Sequence, residues 1–164
     1  MVDPPAAHLQ LAQLLSREPS DEQIAASARL HSAFQNIDPT QYPDLPIRIC
    51  NDLDLLLFAG LLRNRVLVVW QPPEELGQDL LTTTHCCVTT SRQGILLSTQ
   101  LLSMNKQNIW GTLVHEMLHA YLAISTDCEI RGYWAAMGRS GQDDDHGLGW
   151  REACGLLAGR LGSC

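Results

Sequence analysis

The sequence predicts an α+β fold organised as one domain, and three observations carry that prediction. Helical patterning runs from the N-terminus to Gly60, short β-branched runs fill the stretch from Val66 to Ser98, and helical spacing returns from Gln100 onward. A length of 164 residues suits a single core around one cleft. Hydrophobic residues make up 45% and charged residues 18%, the balance of a soluble globular chain rather than a disordered one.

The elements follow in order. Ala6 to Leu15 is apolar enough for a short helix, closed by Pro19. Ser20-Asp21-Glu22-Gln23 has the form of a capping box. It opens a helix whose Ile24, Ala28, His31 and Phe34 form an apolar stripe, with His31 expected at the edge of the core. Asp38-Pro39 ends that helix, and the prolines from Pro39 to Pro46 mark a connector. Asn51 or Asp52 then caps a helix through Leu55, Leu56, Leu57 and Phe58 to Gly60. Val66-Leu67-Val68-Val69-Trp70 is a buried strand, stopped by Pro72-Pro73. Thr82 to Thr90 and Gly94 to Ser98 are two further strands joined as a hairpin through Ser91-Arg92-Gln93-Gly94. The sheet is therefore expected to be small and mostly antiparallel. Residues 1–45 are expected to form an N-terminal helical extension packed on a core spanning 46–164.

The chemistry sits on the first late helix, in Val114-His115-Glu116-Met117-Leu118-His119-Ala120-Tyr121. Residues four apart on a helix share a face, so His115 and His119 can offer imidazole nitrogens to one ion. Glu116 lies beside them without ligating. This HExxH spacing is a zinc-hydrolase signature because it supplies two neutral ligands and a carboxylate placed to take a proton from water on the metal. Apolar flanks (Ile109, Leu113, Val114, Leu118 and Leu122) predict a buried helix, where polar side chains need a partner such as a metal.

A catalytic zinc needs a third protein ligand and an open position. Leu122 stands three residues after His119, so the metzincin extension is absent. The only downstream histidine is His146, which follows a polar, glycine-containing segment and precedes a helix carrying Trp150, Cys154, Leu157 and Leu161. His146 is the expected third ligand, with Glu129, Asp143, Asp144, Asp145 and Glu152 as its competitors. Tyr121 and Tyr133 are conceivable oxyanion donors, but packed tyrosines are the commoner case. His85 is expected to end a strand. An extended substrate is expected to add to a sheet edge, with the Gly94 to Ser98 strand as the candidate.

Charge and cysteines narrow the function further. The formal net charge is -7, and Lys106 is the sole lysine, so the basic footprint of a tight nucleic-acid binder is missing. Six cysteines form no CxxC pair, which argues against a zinc ribbon; buried free thiols are expected, with Cys128 and Cys164 as disulfide alternatives. No apolar run has the length of a spanning helix, and the Met1-Val2-Asp3-Pro4-Pro5 start lacks signal-peptide form. An intracellular location, cytoplasmic or nuclear, is the expectation.

The runs His115-Glu116-Met117-Leu118-His119-Ala120 and His146-Gly147-Leu148-Gly149-Trp150 resemble the active-site motifs of SprT-like zinc metallopeptidases, the family that includes the Spartan proteases. Phe58-Ala59-Gly60-Leu61, Trp70-Gln71-Pro72 and Ile95-Leu96-Leu97-Ser98 extend the likeness, which covers roughly Leu53 to Leu161. It implies a zincin-like metallopeptidase domain that binds Zn2+ through His115, His119 and His146 and cuts protein or peptide substrates with Glu116 as the catalytic acid/base. The segment from Ser125 to Asp145 is longer than the family's usual connector, and its Tyr133, Trp134 and Met137 suit a lid or an extra helix near the cleft. The resemblance also admits DNA as a partner, as in a repair protease of Spartan type, whereas the acidic charge weighs against it. A non-proteolytic zinc-binding adaptor is the other alternative, although a structural site needs no base such as Glu116.

Overall fold

The computed structural model describes residues 4–38, 41–76, 80–87, 92–125 and 151–157. Helices α1 (Pro4–Ser16), α2 (Asp21–Asn36) and α3 (Leu45–Phe58) come first. Strand β1 (Val66–Gln71), the single turn α4 (Pro73–Leu76), and strands β2 (Thr82–Cys87) and β3 (Arg92–Ser98) follow. A 3-10 turn (Thr99–Ser103) leads into the long helix α5 (Lys106–Ser125), and residues 151–157 form a further helix, α6. The α+β architecture is that expected. No described helix is long and apolar enough to cross a membrane.

The capping box at the start of α2 forms as its sequence dictates. Ser20 Oγ accepts from the Gln23 amide, and the Gln23 side chain accepts from the Ser20 amide at 3.0 Å. The buried face of α2 differs from the expected one. Ile24, His31 and Phe34 are exposed, while Ala26 and Ala33 are buried, with Leu30 and Ile37 packed partly against the core. Two stripes compete on this helix, and the one with alanines wins because small side chains let α2 lie close to α3. That contact is fixed by Gln23 Nε2 donating to the Leu55 carbonyl at 2.9 Å and by Arg29 paired with Asp52.

Helix α3 begins six residues before the expected Asn51 cap. Pro46 sits in its first turn, where a missing N–H costs nothing and the fixed φ favours the helix, so the proline starts the element instead of ending a connector. Asp52 is thereby in mid-helix and pairs with Arg29. At the other end Ala59 and Gly60 take left-handed φ of 54 and 79 degrees. Asp54 holds this turn: its carboxylate accepts from the Leu62 amide at 3.0 Å and its carbonyl from the Gly60 amide at 3.1 Å. Burial pushes the Asp54 carboxyl above the usual range, against the backbone amides of Leu62 and Arg63, which lower it.

The sheet is mixed, not mostly antiparallel. Its order is β1-β3-β2, with β1 parallel to β3 and β2 antiparallel to it. Strands β2 and β3 pair antiparallel as expected, but Arg92, Gln93 and Gly94, expected in the linker, belong to β3 and pair with Cys87, Cys86 and His85. Residues 88–91 lie outside the described residues, and β3 is the central strand. Ile95 and Leu97 are fully buried on one face, and on the other Gly94 and Ser98 are buried and Leu96 partly so, the burial that suits a central strand. A central strand has no free edge, which overturns the Gly94 to Ser98 run as the docking edge; among the described residues the unpaired edges belong to β1 and β2.

One core joins the layers. Ala7 and Leu11 of α1, Ala33 of α2, and Leu53, Leu56, Leu57 and Phe58 of α3 share it with Ile95 and Leu97 of β3 and the buried side of α5. Ala153 and Leu157 bring α6 into the same cluster.

Candidate metal centre

Helix α5 is positioned by its own sequence and by what it covers. Asn105 caps its first turn, its side-chain oxygen accepting from the Asn108 amide at 3.0 Å. Ile109, Leu113, Met117, Leu118 and Ala120 are fully buried, so the helix threads the core with little exposed apolar surface. Tyr121 belongs to this packing. Fully buried, it stacks on Phe58 with ring centroids 5.2 Å apart and donates its hydroxyl to the Ala7 carbonyl at 3.2 Å. Burial raises its phenol above the ordinary value, partly offset by a hydrogen bond with Ser125. It is a core tyrosine tying α1 to α5, not an oxyanion donor.

On this rigid helix, His115 and His119 converge. Their Nε2 atoms stand 3.1 Å apart, and the rings meet edge to face at 65 degrees with centroids 4.8 Å apart. Two imidazole nitrogens bound to one tetrahedral zinc at 2.0–2.1 Å are separated by about 3.3 Å, so the pair fits a shared ion without a change of helix geometry. His119 is 4% exposed and Glu116 6%, whereas His115 is partly exposed. The metal site would thus open on the His115 side.

Glu116 projects towards the sheet. Its Oε2 accepts a short hydrogen bond from Thr84 Oγ1 on β2, and the same hydroxyl lies 3.3 Å from the Glu116 carbonyl. Thr84 is 8% exposed. The sequence placed Thr84 on a strand but attached no role to it, because three consecutive threonines, Thr82 to Thr84, offer no local sign of which one meets the helix.

The remaining expected ligands are distributed unevenly. His146, Glu129, Asp143, Asp144 and Asp145 lie outside the described residues, as do Tyr133, Trp134, Met137, Cys128 and Cys164. Glu152 is on α6 and exposed. Among the described residues no group of three or more His, Cys, Asp or Glu could hold a metal ion, so of the expected ligands the structure brings together His115 and His119 alone among the described residues. His85 pairs with Gly94 within β2, inside the strand and not at its end. Cys50 and Cys154 are free thiols.

Beside the pair, a cavity of about 480 Å³ lies between α2, α3, α5 and α6. Its wall is mostly apolar and includes Leu53, Trp110, Val114, Leu118 and Leu157, with His115 at one side. Gly111 also lines it, and a Cβ there would meet nothing within 4 Å among the described residues.

No family model, no curated protein and no solved structure matches this chain.

Proposed function

We propose that the chain is a zinc-dependent endopeptidase of SprT-like type, with a zincin-like centre formed by His115, His119 and His146 and with Glu116 as general base. The observation that carries this reading is the 3.1 Å approach of two Nε2 atoms on one buried helix, with a buried carboxylate between them in sequence. A structural metal site has no use for that carboxylate, which favours catalysis over an adaptor role.

Zinc held by His115, His119 and His146 would supply Lewis acidity, lowering the pKa of water to about 7 and polarising a carbonyl. Glu116 accepts the proton that water loses as its oxygen adds to the peptide carbon. It then delivers that proton to the departing amine nitrogen as the C–N bond breaks. Burial of Glu116 and His119 keeps competing bulk water from the carboxylate. An extended peptide pairs with the open edge of β2, the strand whose Thr84 touches Glu116, so substrate backbone and base are brought to one place. The net charge of -7 sets the chain towards protein substrates and against a phosphate backbone.

The test is metal analysis and casein hydrolysis on the wild type beside Glu116→Gln. Zinc retained with hydrolysis lost is the expected result; equal hydrolysis by the two proteins overturns the reading.

A further inference from the structure

The geometry points to Thr84 as a positioning residue that fixes the orientation of the Glu116 carboxylate, a role that rests on Glu116 being the base. Thr84 pairs with Ile95 across the β2–β3 ladder, so the two share a face, and the contact of Thr84 with Glu116 identifies that face as the one under α5. Ile95 is fully buried there. A β-branched apolar residue would serve packing at position 84 at no desolvation cost. The hydroxyl is a polar group in an apolar layer, and burying it requires a hydrogen-bond partner.

Among the described residues, both acceptors within its reach belong to Glu116. The hydroxyl has one proton to give. The main-chain carbonyl lies at 3.3 Å and stands within the helix, where the backbone ladder already supplies a donor. The nearer acceptor is Oε2. Donation to a carboxylate is the stronger kind of hydrogen bond. With Oε2 tied to β2, rotation about the last side-chain torsion is stopped, and Oε1 is left as the oxygen that takes and returns a proton. Terminal carboxylate torsions are otherwise broad, so a helix alone does not set this orientation. The strand supplies what the HExxH spacing lacks.

Thr84→Val removes the hydroxyl while keeping the branched shape; Thr84→Ser keeps the hydroxyl. Each is measured beside the wild type and Glu116→Gln for zinc content, Tm, kcat and KM on a peptide substrate. A crystal structure of Thr84→Val locates the carboxylate independently of activity. Thr84→Val is expected to keep its zinc and KM while kcat falls about 10–100-fold, the usual cost of losing a partner that orients a site residue. Its Glu116 carboxylate is expected to turn from the wild-type position, and Thr84→Ser to recover most of the rate. A carboxylate unmoved in Thr84→Val overturns the proposal, as does equal loss in the valine and serine variants or a kcat within twofold of wild type. A loss confined to Tm or zinc content assigns Thr84 a purely structural role and overturns it too. If Glu116→Gln is as active as wild type, the failure belongs to the reading of the base instead.

Discussion

Replacing His119 by alanine tests the metal pair without requiring a known substrate. The two Nε2 atoms are already 3.1 Å apart on a helix locked by fully buried neighbours, so binding an ion calls for no reordering of α5. A ligand that binds only the folded chain stabilises it by RT ln(1 + [L]/Kd), about 2.7 kcal/mol at free zinc a hundredfold above Kd. For a chain of this size each kcal/mol moves Tm by about 2–4 °C, so zinc at the proposed site is expected to raise the wild-type Tm by about 5–11 °C. His119→Ala takes away one of the two described residues of the proposed ligand set and is expected to shrink the shift to a small fraction of that. The substitution also hollows a site that is 4% exposed, which lowers the Tm of the metal-free variant on its own account. The proper comparison is therefore the zinc-dependent shift within each protein. Thermal melts by circular dichroism, in chelator and then in buffered zinc, give both values. An equal shift in the two proteins, or none in the wild type, would refute the reasoning.

Two further outcomes follow from the packing around the centre. Gly111→Ala is expected to stabilise the chain by about 0.5–1 kcal/mol, because glycine is costly within a helix and an added Cβ meets nothing within 4 Å among the described residues; a lowered Tm contradicts this. Burial first, and the charge of Asp54 second, push the Cys50 thiol up to about 12, so at pH 8 it stays protonated and its alkylation by iodoacetamide, followed by peptide mass mapping, is slow until the chain is denatured. Because the folded value is raised above 9.0, the linked stability is fully present below pH 9 and is lost as pH rises towards 12; rapid alkylation in the native state contradicts the burial of this thiol.

What was legible in the sequence was local. The capping box from Ser20 to Gln23 and the His115–His119 pair both depend on spacing within one or two helical turns, and the structure forms the capping box and brings the two imidazoles together. What depended on partners was harder to read. The face of α2 turned on whether bulky or small side chains meet α3, and alanines prevailed. Pro46 reads equally as the end of a connector or the start of a helix until the chain around it is placed. The central position of β3 requires knowing that β1 pairs with it in parallel across the whole β2 excursion, a long-range choice that no turn residue encodes. Thr84 was hidden for the same reason, since only the ladder register decides which of three adjacent threonines lies under Glu116. His146 lies outside the described residues, and its proposed role as third ligand rests on the sequence motif around it.

The most direct measurement of the central claim is peptide turnover by zinc-loaded Glu116→Gln beside zinc-loaded wild type, at equal metal content. Glu116 supplies no ligand to the pair on α5, so the variant is expected to bind zinc as the wild type does. Loss of the base lowers turnover by about 10²–10⁴-fold, the usual worth of a general base. Equal turnover by the two loaded proteins would contradict the assignment of Glu116 and with it the reading of this centre as a peptidase.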